Sequence, residues 1–326
     1  MPLPTFIIAG ERKCGTTALH NWMSGHPEVY IHPHWDMNYF MDEAVTTGPP
    51  AEGEIDPENW NRTHSLTAYA ELFQNGERRK AIGEKTADLF FWQPAHERMA
   101  RYLPDCRYIV ILRNPVARAW SHYWNEIGKK GRETLGFEEA LAREEARSRS
   151  SAYARNHFSY LARGFYDRSL KRFYQHIAAE RVLVITNEEM RSQPVETLQK
   201  VYRFIDVDPG VGLELAGSRH NENATQIPRS IVNRTMLKPI ARSYNRLSAS
   251  LAYRLTTSPE QAAKLKAYLQ LPFRQPAGKL LMPNDIRIKV QRIYRPHIEA
   301  LEALLSRQFT EWKVAPFASA HLNSPQ

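Results

Sequence analysis

Short, uninterrupted apolar runs recur along the chain, and most are followed by a turn and a stretch with helical spacing. Phe6-Ile7-Ile8-Ala9, Val29-Tyr30-Ile31, Lys80–Gly83, Cys106–Leu112 and Val182–Ile185 are the strand-sized runs. They are continuous rather than alternating, so each expected strand is buried on both faces. Helices are predicted from Thr16 or Thr17, as cap, to about Ser24, then over 66–73 and over 94–102 with Pro94 at the first position. Another starts at Asn114-Pro115 and runs to about Lys129, and more cover 137–147, 151–162, 167–179, 195–204 and 286–307. Alternating strands and helices predict an α/β fold with a central parallel β-sheet flanked by helices. From 206 to 285 the periodicity weakens. That stretch is expected to form a helical cover on a single domain spanning 1–326.

Between the first strand and first helix lies Gly10-Glu11-Arg12-Lys13-Cys14-Gly15-Thr16-Thr17. It has the frame of a phosphate-binding loop, which makes the sheet P-loop-like. A nucleoside triphosphatase carries lysine directly after the second glycine. Here that place is Thr16, and the lysine is Lys13. Backbone amides at a helix N-terminus still make an anion site, and Lys13 adds a full charge. An ordinary strand-to-helix turn needing Gly15 for its backbone angles is the competing reading. The strand that carries a magnesium-binding acid in triphosphatases reads Tyr108-Ile109-Val110-Ile111-Leu112-Arg113 here. A cation at that point repels Mg²⁺ and attracts phosphate, and Ser121 follows on the next helix. The ligand inferred has two separated anionic groups and no obligatory metal.

Composition adds boundaries. The 326 residues carry a net charge of +9 with a pI of about 9.5, which suits anionic ligands as well as a solvated basic surface. No helix-turn-helix, zinc-finger or RNA-binding signature is present, so no nucleic-acid partner is expected. Two cysteines, Cys14 and Cys106, suggest no disulfide framework. No apolar run approaches the roughly 20 residues of a transmembrane span. Met1-Pro2-Leu3-Pro4 leads at once into Thr5-Phe6-Ile7-Ile8, with no signal-peptide pattern. The expected location is cytoplasmic.

The segment FIIAGERKCGTTAL resembles the 5′-phosphosulfate loop of sulfotransferases that use 3′-phosphoadenosine 5′-phosphosulfate (PAPS), and YIVILRNPVARAWSHYW resembles their 3′-phosphate motif. YLARGFYDRSL, VLVITNEEM and LMPNDIRIKV…LEALLSRQFTEW also look like this family, from about residue 5 to 313. The likeness is closer to Golgi-type carbohydrate enzymes and their bacterial relatives than to the cytosolic steroid and phenol enzymes. The resemblance implies PAPS as donor, its desulfated form PAP as product, and no metal requirement. It implies that Lys13 meets the 5′-phosphate and the leaving oxygen, and that Gly15, Thr16, Thr17 and Ala18 cradle that phosphate, with Arg12 and Cys14 in the same loop. Arg113 and Ser121 then hold the 3′-phosphate, Arg163 lies near it, and Arg229 closes over the cofactor.

Sulfuryl transfer also needs a base for the acceptor's proton. The carbohydrate enzymes often carry Lys-Glu-x-x-Phe-Phe; the nearest match here is Trp35-Asp36-Met37-Asn38-Tyr39-Phe40. Asp36 stands for the glutamate and Trp35 for the lysine, which weakens the case for an acidic sugar and lets Trp35 stack on a sugar ring or apolar acceptor. Glu84-Lys85-Thr86 is the second candidate, with Lys85 on a sulfonate oxygen and Glu84 orienting it or acting as base. His32 and His34 are the third option, and His122 is expected to pack. The expected acceptor is a hydroxyl, or secondarily an amine, of a small molecule or glycan, with a lipid-linked acceptor left open. A P-loop kinase and a non-catalytic nucleotide-binding protein are the competing functions.

Overall fold

The computed structural model describes residues 2–41, 66–128, 131–218, 226–228, 274–276 and 281–313. Five strands form one all-parallel sheet: β1 (Phe6–Gly10), β2 (Val29–Ile31), β3 (Ala81–Lys85), β4 (Arg107–Leu112) and β5 (Val182–Thr186), in the order β2-β3-β1-β4-β5. Every residue of β1 and β3 is buried: β1 as its unbroken apolar run requires, β3 with the charged Glu84 and Lys85 included. Helices connect the strands. The described ones are α1 (Thr16–Met23), α2 (Leu66–Glu71), α3 (Pro94–Tyr102), α4 (Pro115–Gly128), α5 (Phe137–Ala142), α6 (Glu144–Ser150), α7 (Ala152–Phe158), α8 (Tyr166–Phe173), α9 (Asn187–Ser192), α10 (Pro194–Phe204), α11 (Asn284–Leu305) and α12 (Thr310–Lys313).

Three local expectations change. The first helix is not capped by a threonine: its N-cap is Gly15, in the left-handed region at φ 106°, and Thr16 is already helical. The helix expected over 137–147 is two, because Arg143 at φ −94°, ψ 0° ends α5 where α6 begins. The helix expected from 151 starts after Ser151, whose hydroxyl accepts the Ala154 amide, and stops at Phe158. By contrast, Asn114 caps α4 as expected, its Oδ1 accepting the Val116 amide at 3.0 Å.

The chain divides into two compact units, one of 1–123, 135–221 and 282–326, the other of 124–134 and 222–281. The second contains a short antiparallel pair, β6 (Gln226–Pro228) with β7 (Arg274–Pro276), inside the stretch expected to be helical. Much of 206–285, including Arg229 and His220–Asn223, lies outside the described residues.

The topology puts β1 between β3 and β4, so the loop leaving β1 is flanked by the C-terminal ends of both neighbours. In open α/β sheets ligands bind at such a point. The β1–β3 contact depends on Phe6 lying across Gly83, its register partner. A Cβ at position 83 would stand 2.2 Å from Phe6 Cζ. Gly83→Ala is expected to destabilise the protein by about 1–3 kcal/mol, read as a lower urea midpoint. An unchanged midpoint would show that the ring can move aside at no cost.

Candidate active site

The loop after β1 runs directly into α1, whose first amides have no helical carbonyl to bond. Leu19 is the first amide to reach a helical carbonyl, Gly15 O at 3.1 Å. The amides of Thr16, Thr17 and Ala18 therefore have no partner within the helix. Two loop carbonyls are taken from behind: Arg113 Nη1 donates to Lys13 O at 3.2 Å, and Asn187 Nδ2 donates to Cys14 O at 2.9 Å. Lys13 and Gly15 both have positive φ, 70° and 106°. A Cβ at Gly15 would lie 2.7 Å from Asn187 Nδ2, so glycine is needed for space as well as for conformation. Arg113, at the end of β4, is thus tied to the loop before any ligand arrives. Its own carbonyl accepts Tyr166 Oη at 2.9 Å, and the next amide, Asn114, donates to Glu188 at 3.0 Å. Burial lowers the Arg113 pKa from its ordinary value; a guanidinium still keeps its charge at neutral pH. Ser121, on α4, is half-buried.

Beneath the loop lies a buried ionic cluster. Arg163, 0% exposed, donates from Nη1 to Glu11 at 2.6 Å and from Nη2 to Asp88 at 2.8 Å, and stacks over Phe91 with its centre 4.2 Å from the ring. Arg12 donates to Asp88 through Nε at 2.9 Å and also through Nη2. Against the upward push of burial, Arg12 and Arg163 hold the Asp88 carboxyl well below the usual range. Burial raises Glu11, although Arg163 opposes it. Arg163, expected near the 3′-phosphate, is fully buried and bonded to two carboxylates. Arg12 is likewise engaged by Asp88. Cys14 is fully buried, and burial pushes its thiol up to about 12, so it serves the loop through its backbone.

On the other flank the structure brings Asp36 and Lys85 together. Lys85 ends β3 opposite Ile8 of β1. Its Nζ donates to Asp36 Oδ1 at 2.9 Å, the same oxygen accepts the Ala87 amide at 3.0 Å, and the Asp36 amide donates to Lys85 O at 2.7 Å. Asp36 adopts φ 55° to make these contacts. The lysine is buried and the carboxylate 42% exposed, and Asp36 Oδ2 has no hydrogen-bond partner among the described residues. Trp35 lies beside them, its ring centre 5.6 Å from Lys85 Nζ.

Glu84 occupies the opposite face of β3, as strand alternation demands. It is 1% exposed and accepts Tyr69 Oη at 2.7 Å and Thr86 Oγ1 at 3.0 Å. Tyr69 in turn stacks on Tyr39 at 4.2 Å, so Glu84 supports the segment after Asp36 and does not meet an acceptor. His32 is buried, its Nδ1 accepting the His34 amide, and burial lowers its pKa. Among the described residues no group of three or more His, Cys, Asp or Glu could hold a metal ion. His122 is fully buried, as expected of a packing residue. Asn187 was not singled out from the sequence. The signal lay in Thr186-Asn187-Glu188-Glu189: Thr186 and Glu189 form a complete capping box, which leaves Asn187 free of capping duty.

Two measurements test this geometry. Arg163→Met is expected to cost about 3–5 kcal/mol, because Glu11 and Asp88 stay buried without their partner; a thermal midpoint within a degree of wild type would contradict the cluster's role. Glu84 gives a pH signature. Burial raises its carboxyl from 4.5 to about 7, so it holds its proton in the folded state where the unfolded chain has lost it. Its contribution to stability is full below pH 4.5 and is lost as pH rises through about 7. The gap in urea midpoint between wild type and Glu84→Gln should shift in the variant's favour from pH 5 to pH 8. A gap independent of pH would place the Glu84 value near that of a free carboxyl.

Comparison with known proteins places the chain in a family. Residues 4–209 match the model of the sulfotransferase family. The chain is 24% identical over 213 residues to human bifunctional heparan sulfate N-deacetylase/N-sulfotransferase 2, covering 64% of this chain and 22% of that protein. It is 27% identical over 206 residues to mouse heparan sulfate glucosamine 3-O-sulfotransferase 3B1, covering 62% and 46%. It thus spans less than half the length of either relative. The crystal structure of a sulfotransferase from Alicyclobacillus acidocaldarius superposes with a TM-score of 0.66 at 26% identity, covering 96% of this chain and all of that one. No helix among the described residues is long and apolar enough to cross a membrane. With the family model matching well over half its length, the chain belongs to the sulfotransferase family.

Proposed function

We propose that the protein transfers a sulfuryl group from PAPS to a hydroxyl, or secondarily an amine, of a carbohydrate or other small metabolite. The observation that carries this reading is the run of helix-start amides at Thr16 to Ala18 with Arg113 bonded to the Lys13 carbonyl of the same loop. A helix N-terminus after β1 and a guanidinium at the end of the neighbouring β4 would suit a nucleotide with separate 5′- and 3′-phosphates. The 5′-phosphate would rest on the amides of Gly15 to Ala18 with Lys13 beside it, and the 3′-phosphate on Arg113 and Ser121. The two named relatives, an N- and a 3-O-sulfotransferase of heparan sulfate, support an amine or hydroxyl acceptor on a sugar.

In this reading Asp36 Oδ2 takes the acceptor's proton. An acceptor oxygen forms the new bond to sulfur, the bond from sulfur to the 5′-phosphate oxygen breaks, and the electron pair stays on that phosphate. The loop amides and Lys13 hold the charge that develops there, a role fixed donors perform without rearranging. Lys85 keeps Asp36 in one orientation, since both donors to Oδ1 hold the carboxylate from the same side.

Calorimetry with PAP, without metal and with ATP–Mg²⁺ as comparison, tests the donor site. Arg113→Ala is expected to weaken PAP binding by about 30-fold or more, since one guanidinium serves a phosphate and the loop together. Preferential binding of ATP–Mg²⁺ with no PAP binding would hand the assignment to a phosphotransferase. For the base, Asp36→Ala should lower kcat by about 10²- to 10⁴-fold while leaving PAP affinity unchanged. Undiminished transfer by that variant would remove Asp36 from the role.

A further inference from the structure

Trp35 is the side chain that the proposed chemistry leaves unexplained. Trp22, Trp92 and Trp312 are each at most 4% exposed, but Trp35 is 44% exposed. Of the large apolar side chains standing out from the surface among the described residues, it is the one in contact with the Asp36–Lys85 pair. Its position is fixed rather than incidental. The following residue, Asp36, is bonded to the end of β3 by its amide and by its carboxylate. The ring meets Lys85 Nζ at 5.6 Å and the edge of the buried His20 ring at 6.2 Å, nearly perpendicular. His20 is itself anchored through Nε2 to the carbonyl of His32 at 2.9 Å.

The charge balance beside the indole points the same way. Lys85 is the cation at this spot, and it is 3% exposed and already paired with Asp36. A carboxylate or sulfate brought against Trp35 would meet a neutralised, inaccessible ammonium and, next to it, the exposed carboxylate of Asp36. An uncharged ring face would meet an aromatic surface instead. Aromatic faces favour such contacts, and the indole loses little freedom in making them because its neighbours already hold it.

We propose that Trp35 is an acceptor-binding residue that selects uncharged alcohols: the acceptor lays a neutral ring, a sugar's C–H face or an aryl or alicyclic face, on the indole while its hydroxyl reaches Asp36. This rests on the sulfotransferase reading above and narrows it to acceptors without an acidic group next to the reacting hydroxyl.

The test uses the full chain loaded with PAP, whose binding is measured first for each variant. Failure of PAP binding in wild type would count against the donor assignment, whereas normal PAP binding isolates the acceptor question. Binding of 4-nitrophenyl β-glucoside, 2-naphthol and a carboxylated heparosan oligosaccharide is then followed by saturation-transfer NMR and titration. The two neutral probes separate a sugar face from an aryl face. At least one of them is expected to bind, to lose about three- to tenfold in affinity in Trp35→Ala, and to recover in Trp35→Phe, with PAP affinity constant throughout. In turnover with labelled PAPS the same loss should fall on KM rather than kcat. The proposal is overturned if neither neutral probe binds the PAP-loaded wild type, if Trp35→Ala binds them equally well, or if the heparosan oligosaccharide binds more tightly than both.

Discussion

An anion can rest on backbone amides when the carbonyls of the same loop are occupied elsewhere, because each peptide that offers its N–H also carries an oxygen that would repel the ligand. Here two carbonyls are claimed by side chains that follow β4 and β5, Lys13 O by Arg113 and Cys14 O by Asn187. The left-handed turn at Gly15, the uncapped start of α1 and the close fit of Asn187 all follow from that arrangement. It also bonds Arg113, at the end of β4, to the loop that leaves β1.

The buried cluster beneath the loop looks at first contrary to its purpose, since Glu11 and Asp88 bring acidic groups under an anion site. Arg163 and Arg12 answer them at hydrogen-bond distance. Each buried carboxylate thus has a cation beside it. At the end of β3 the same economy appears: Lys85 is bonded to Asp36, and its strand neighbour Glu84 to Tyr69.

How much of this could be read in advance follows a physical division. The strands were legible because burial on both faces writes itself as an apolar run, and Lys13, Arg113 and Asp36 drew attention because each sits in a short local pattern. Partnerships were not. Arg113 meets a carbonyl 100 residues away, Arg163 a carboxylate 152 away and Asn187 a carbonyl 173 away, and nothing local encodes those distances. The local motif of Arg163 with Gly164 and Phe165 gives no sign of its burial against Glu11 and Asp88. Thr16 and Thr17 were read as caps by side-chain chemistry, but the turn needs positive φ, and glycine supplies it. The junction in the helix at Arg143 has no proline or glycine to announce it.

The order of the sheet has a consequence for biosynthesis. The central strand is the first to leave the ribosome, yet its two neighbours end at residues 85 and 112. Until β3 arrives Phe6-Ile7-Ile8-Ala9 has both edges open, and one stays open until β4, a form suited to sticking to other chains. The interval between the synthesis of β1 and that of β4 is therefore the stretch in which this strand gains most from being shielded.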